Sequence, residues 1–233
     1  MGQKWRNDFQ PSSKIRKRLA NSLATVLAIL LHRTKVPTRG VMTLHTPAGG
    51  RKYLNAAERQ RFAAAAHTMP AEVRVFCLFM MWSGCRISEA LAVTPLAIDR
   101  SAGTVALTTL KRRKDIIIRQ VPLPTEILND LAKVFDLAAL ERHPKTADAP
   151  LWHWSRATGW RNVKKAMDRA GIVGPAAMPK GLRHAFGVAA FQSVPPHIVQ
   201  RWLGHASLRT TAIYGNVVGQ EERLFAQRIW DNW

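Results

Sequence analysis

Residues 71–91 read AEVRVFCLFMMWSGCRISEAL. Apolar side chains from Val73 to Met81 fall on nearly every side of a 3.6-residue period, which predicts a helix buried all round rather than an amphipathic surface helix. Pro70 precedes it, and Gly84 stands just past its end, where a left-handed C-cap needs a residue without a β-carbon. Arg86 is thereby delivered to the mouth of the core, at the start of a short helix, with Glu89 one turn on to orient it. On a chain of 233 residues such a segment implies one sizeable core.

Outward from this helix the signals stay mostly helical. Asn55-Ala-Ala-Glu58 is a capping box that opens a helix to about Ala66. Between Pro95 and Pro124 the period changes to two: IDRSAG reads as a turn, TVALTTL as a strand, KRRKD as a second turn and IIIRQVPL as the returning strand. Thr125 is placed to cap a helix through about Leu140, and further helical patterns run over 157–170, 179–192, 196–203, 207–214 and 219–230. The expected fold is mainly α with a small antiparallel β-meander, an α+β domain over residues 53–233.

Residues 1–52 differ in composition, with many Lys and Arg and Asp8 as the one acid. They read as a basic N-terminal segment with one helix, followed by a Pro/Gly-bearing linker, VPTRGVMTLHTPAGG.

The whole chain carries 35 Lys and Arg against 15 Asp and Glu, a net charge of +20. That excess calls for a polyanionic partner, and nucleic acid is the usual one, because each neutralised phosphate releases counterions. The competing reading is an anionic membrane, resting on Leu19–Leu31 after the basic KIRKR. Those thirteen residues are short of the ~20 that span a bilayer, and no small-residue cleavage site follows them. No membrane association is expected, and the location is cytoplasmic. Cys77 and Cys85 lack metal-ligand spacing and read as buried thiols of a reducing compartment. His67, His143 and His153 likewise show no ligand pattern. No metal and no other cofactor is expected.

Transfer of a DNA phosphodiester to a side chain without metal requires a nucleophile, cations for the charge on phosphorus and an acid for the departing 5′ oxygen. Arginine forks suit the non-bridging oxygens, lysine can serve as the acid, and a tyrosine phenol is a feasible nucleophile. The chain holds such a set in Gly84-Cys85-Arg86-Ile87-Ser88-Glu89, Lys180 with Leu182-Arg183-His184, Trp202-Leu203-Gly204-His205, and Tyr214 nine residues after His205. These words, in this order, resemble the catalytic domain of the tyrosine recombinases (phage-integrase type), and the resemblance covers residue 51 to the C-terminus.

The resemblance implies that Arg86 and Arg183 clamp the phosphate, that His205 donates to a phosphate oxygen, and that Tyr214 is the nucleophile forming a 3′-phosphotyrosine. It makes Lys111, at the tip of the hairpin, the acid for the leaving oxygen, with Lys114 as the competing choice. Lys180 stands where many members have His and is expected in the catalytic site as a cationic donor; the alternatives are that it merely contacts DNA and that its role passes to His184. Backbone contacts are expected from Arg112, Arg113 and Lys114 of the turn and from Arg161, Lys164 and Lys165 on one helix face. The implied partner is double-stranded DNA with a specific recombination site, bound by a homo-oligomer, a tetramer. Family members carry a helical core-binding domain ahead of the catalytic one; only some fifty residues precede it here, so that region is expected to be vestigial or replaced by the basic segment. Two rival readings are a type IB topoisomerase-like enzyme and a non-catalytic DNA-binding protein derived from a recombinase.

Overall fold

In a computed structural model of the chain the residues described are 43–109, 117–217, 222–223, 226–227 and 230–231. The expected helix at Leu19–Leu31, the hairpin tip with Lys111, Arg112, Arg113 and Lys114, and Leu224, Phe225 and Ile229 of the C-terminal segment lie outside them.

The fold is mainly helical with one three-stranded antiparallel sheet, as expected. Helix α1 (Ala56–His67) opens on the capping box: Glu58 N–H donates to Asn55 Oδ1 at 2.8 Å, and Asn55 N–H donates back to the Glu58 carboxylate at 2.8 Å. Helix α2 (Ala71–Ser83) is the apolar segment, buried from Val75 to Met81, and Gly84 closes it with φ 59°. The short helix α3 (Ile87–Ala90) follows directly.

The sheet has the order β1–β2–β3, formed by Ile98–Asp99, Thr104–Thr109 and Ile117–Pro122. In the β2–β3 register Val105 faces Val121 and Leu107 faces Arg119. IDRSAG is therefore only partly a turn, since Ile98 and Asp99 pair with Val105 and Thr104. Their two-residue length gave no period to read.

The helix expected from Thr125 to Leu140 is broken. Helix α4 (Thr125–Phe135) ends at Asp136, which adopts φ 46°, and α5 (Leu137–Glu141) restarts from it. The Asp136 carbonyl accepts from the Ala139 and Leu140 N–H groups at 2.9 and 3.1 Å, and its carboxylate adds a longer contact of 3.3 Å to the Ala139 N–H as a side-chain cap. Helix α6 (Pro144–Ala147) leads to α7 (Arg156–Arg169), α8 (Pro179–Phe191), α9 (Pro196–Leu203) and α10 (Leu208–Ala212), and a 3₁₀ turn, Ile213–Gly215, carries Tyr214.

Helix α2 is the axis of the molecule, packed on by α1, α4, α7 and α8. Trp152 fills the core beside it, edge-on to Phe76 and Phe135 with ring centroids 5.2 and 5.3 Å away. A second apolar cluster lies over α8 and α9 and gathers Leu44, Tyr53, Val188, Val199, Leu203, Tyr214 and Val217. Leu44 belongs to the stretch that its Pro and Gly marked as linker, yet it is buried, and a bridge pairs His45 with Arg51. Among the described residues no helix is long and apolar enough to cross a membrane.

Candidate active site

A cleft of about 480 Å³ opens between the start of α3 and the first turn of α8, lined by Arg86, Lys180, Arg183 and His205. A larger groove, about 770 Å³, runs between β3 and α9 and meets the first at His205. Arg86, Lys180 and Arg183 converge on the smaller one.

Arg86 sits at the N-cap of α3. Its backbone N–H and its guanidinium both donate to the Glu89 carboxylate, at 2.8 and 2.6 Å, which fixes the stem and leaves the rest of the fork toward the cleft. Glu89 is buried, and burial alone raises a carboxyl pKa. The hydrogen bond and charge of Arg119, then those of Arg86, outweigh burial and hold this carboxyl below its usual range.

Arg183 is 5% exposed. It donates to the Gly84 carbonyl at 2.8 Å and to the Leu203 carbonyl at 2.6 Å. One guanidinium thus joins the end of α2, two residues before Arg86, to the end of α9, two residues before His205. Five N–H donors allow this with capacity left for an anion. Burial, followed by the charge of Arg86, lowers its pKa to about 10, so it remains a cation at neutral pH.

The His205 ring is held by Thr211 Oγ1, 2.9 Å from Nδ1, while Nε2 is buried without a hydrogen-bond partner among the described residues. If the threonine hydroxyl donates to Nδ1, the proton resides on Nε2, free to donate to a phosphate oxygen. Lys180 is exposed in the first turn of α8, where a cation faces the positive end of the helix dipole. That placement is unfavourable until an anion occupies the cleft.

Tyr214 does not line the cleft. It is fully buried, its ring stacked on His205 with centroids 6.0 Å apart and 14° between planes, and its hydroxyl lies 3.3 Å from His184 Nδ1. The ring occupies a slot above Gly187, where any β-carbon would collide with it. Burial raises the phenol pKa to about 12, although Arg183 and Arg86 pull it down.

Of the helix-face residues, Arg161 and Lys165 are exposed on α7. Lys164 is partly taken up within the fold, donating to the Ala177 carbonyl at 3.1 Å and lying 3.4 Å from Asp168. Arg156 and Trp160, one turn apart on α7, line the cleft directly; the sequence marks Trp160 only as a core or groove-lining residue and does not single out Arg156. Among the described residues no three His, Cys, Asp or Glu side chains gather into a metal-holding group. Both cysteines are buried, and that burial raises their pKa to about 12.

The two site histidines make stability pH-dependent. Burial, then neighbouring cations (Lys180 and Arg183 for His184, Arg183 and Arg86 for His205), lowers their pKa values to about 4 and about 3. The unfolded chain protonates its histidines near 6.5. The unfolded state therefore binds more protons below that pH, and stability falls as pH drops from about 6.5 toward about 4, with no contribution from these groups above about 7.5. A loss of at least about 2 kcal/mol by pH 4 is expected, at ~1.4 kcal/mol per unit. Denaturant titration of wild type and His184→Gln checks it. The variant should show a shallower fall between pH 6.5 and 5, and parallel curves would refute neutral burial of His184.

The sequence model of the Phage integrase family matches residues 52–221. The chain belongs to the phage integrase family. It is 31% identical over 203 residues to the tyrosine recombinase XerD of Ralstonia nicotianae, covering 82% of this chain and 64% of that protein. It is 34% identical over 152 residues to XerD of Brucella abortus, covering 61% of this chain and 46% of the relative. The chain thus spans about half to two thirds of the length of these relatives. The XerA recombinase structure superposes with a TM-score of 0.63 at 22% identity, over 76% of this chain and 64% of that one. The XerH recombinase bound to its difH substrate, a pre-cleavage complex, gives 0.62 at 22% identity, over 83% and 56%. At that identity the superpositions establish the fold.

Proposed function

We propose that this member of the phage integrase family cleaves and rejoins double-stranded DNA at a specific recombination site through a 3′-phosphotyrosine on Tyr214. The observation that carries the proposal is the cleft itself: Arg86, Lys180 and Arg183 surround one opening, and the unpartnered His205 Nε2 lies beside them. That arrangement suits a single tetrahedral anion in transit to a five-coordinate state. As the Tyr214 oxygen attacks phosphorus its phenolic proton is lost to water, and the bond to the 5′ oxygen breaks, that oxygen leaving with a proton from Lys111. The reverse reaction uses the 5′ hydroxyl of a partner strand, so bond energy is conserved and no nucleotide is consumed.

In this reading residues 53–233 are the catalytic domain and the basic residues 1–52 add grip on DNA. Arg112, Arg113, Lys114, Arg161 and Lys165 contact the backbone, and protomers assemble as a tetramer on two sites. A nicked suicide substrate, which traps the covalent adduct for denaturing electrophoresis, tests the activity. Relaxation of supercoils without a preferred site would favour the topoisomerase-like alternative, and site binding with no adduct would favour a DNA-binding remnant.

The acid has its own test. Lys111→Ala should lose cleavage on ordinary DNA by at least about a hundredfold, the lower end of the ~10²–10⁴ that general acid catalysis typically contributes. A 5′-bridging phosphorothiolate substrate, whose sulfur departs without a proton, should restore it. Rescue of Lys114→Ala and not of Lys111→Ala would move the role to Lys114.

A further inference from the structure

Arg119 of β3 is 4% exposed, so a permanent cation lies within the fold. Each of its three nitrogens donates a hydrogen bond, to three separate segments. Nε donates to the Trp202 carbonyl at 2.7 Å, one terminal nitrogen donates to Thr109 Oγ1 at 3.0 Å, and the other donates to Glu89 Oε2 at 2.6 Å. Each acceptor stands next to a proposed reacting group. Glu89 holds the Arg86 guanidinium by its other oxygen. Trp202 lies three residues before His205, and Thr109 ends β2 two residues before Lys111.

The turn before His205 is shaped around this guanidinium. Gly204 adopts φ 61°, and a β-carbon there would lie 3.2 Å from Nε and a terminal nitrogen of Arg119. Arg183 makes a parallel link from Gly84 to Leu203. Two buried arginines therefore cross between the Arg86 segment and the His205 segment; Arg183 lines the cleft, whereas Arg119 borders the larger groove between β3 and α9.

We propose that Arg119 is a positioning residue for strand cleavage: its fork sets the Glu89 carboxylate that holds Arg86 and the turn that presents His205, without touching DNA. The proposal rests on the strand-transfer reading of the cleft. Lysine cannot substitute, because one ammonium on a flexible stem cannot reproduce a planar fork aimed at three acceptors. The competing account gives Arg119 the mere task of neutralising a buried carboxylate, in which case any neutral, well-packed pair would serve equally well.

The experiment uses the full chain, R119K and the neutral double variant E89Q/R119M, each checked for folding by circular dichroism and thermal melting. Wild type and variants are compared for affinity to an intact site, for single-turnover cleavage of ordinary and 5′-phosphorothiolate suicide substrates, and for the side-chain NMR signal of Arg86 in the free protein. The expected result is site affinity within about threefold of wild type and cleavage reduced about a hundredfold in both variants, the loss that a misplacement of about 1 Å produces. The phosphorothiolate should leave most of that loss in place, because two of the three contacts serve the clamps. Wild-type cleavage by E89Q/R119M would overturn the proposal in favour of charge neutralisation, and full phosphorothiolate rescue would confine Arg119 to the hairpin and also overturn it. If R119K fails to fold, the double variant decides. If wild type forms no adduct, the strand-transfer reading fails, and the Arg86 signal decides the positioning claim on its own: a shifted signal in the variants supports it and an unmoved one overturns it.

Discussion

Tyr214→Phe should abolish the covalent protein–DNA adduct on a nicked suicide substrate while leaving the fold and site binding close to wild type. The phenylalanine ring fills the same slot above Gly187 and keeps the stacking on His205. The lost hydroxyl forms one long contact, 3.3 Å to His184 Nδ1, so the cost in stability is about 1 kcal/mol or less. Denaturing electrophoresis reads the adduct and denaturant titration reads the stability. A persistent adduct in Tyr214→Phe would show that another group attacks phosphorus. The expected effect on chemistry is complete, because the chain's one other tyrosine, Tyr53, is buried in the second apolar cluster and does not line the cleft.

Loss of either arginine should slow cleavage by at least about a hundredfold, or ~2.7 kcal/mol of transition-state stabilisation, with site affinity little changed. The two differ in what they do to the fold. Arg86→Ala leaves Glu89 still paired with Arg119, so the protein should stay within about 1 kcal/mol of wild type. Arg183→Ala strips partners from two buried carbonyls, at about 1–3 kcal/mol each, and opens a gap between α2 and α9. Single-turnover cleavage beside urea titration separates these effects. Parallel losses of affinity and cleavage would mean that the arginines grip ground-state DNA instead.

Much of the fold was legible because its signals are local. The capping box at Asn55, the all-round apolarity of α2 and the boundaries of α9 each depend on residues within a turn or two of one another. The break at Asp136 was not, since a left-handed non-glycine residue leaves no compositional mark and the apolar pattern continues across it. The cleft residues were found through motif words, and the structure brings Arg86, Lys180, Arg183 and His205 together from three segments. Arg119 was missed although its signal was present: alternation along β3 puts it on the same buried face as Val121, and a charge on a buried face needs a partner. Arg156 left no such trace, because an exposed helix face looks the same whether it borders a cleft or open solvent.

The slot over Gly187 makes idle reactivity a question of occupancy. A side chain with no exposed surface cannot meet a phosphate from outside, so in the proposed reading the phenol would have to vacate the slot before attacking, and only the vacated fraction would be competent. Every ~1.4 kcal/mol by which the slot prefers the ring lowers that fraction tenfold. Attack on the phenol by nitrating or iodinating reagents should fall to the same degree, and so, in the proposed reading, should strand cleavage away from a bound site. In the proposed reading the absent β-carbon at position 187 would serve as a safety catch, released where bound DNA makes the outward position of the ring the lower in free energy.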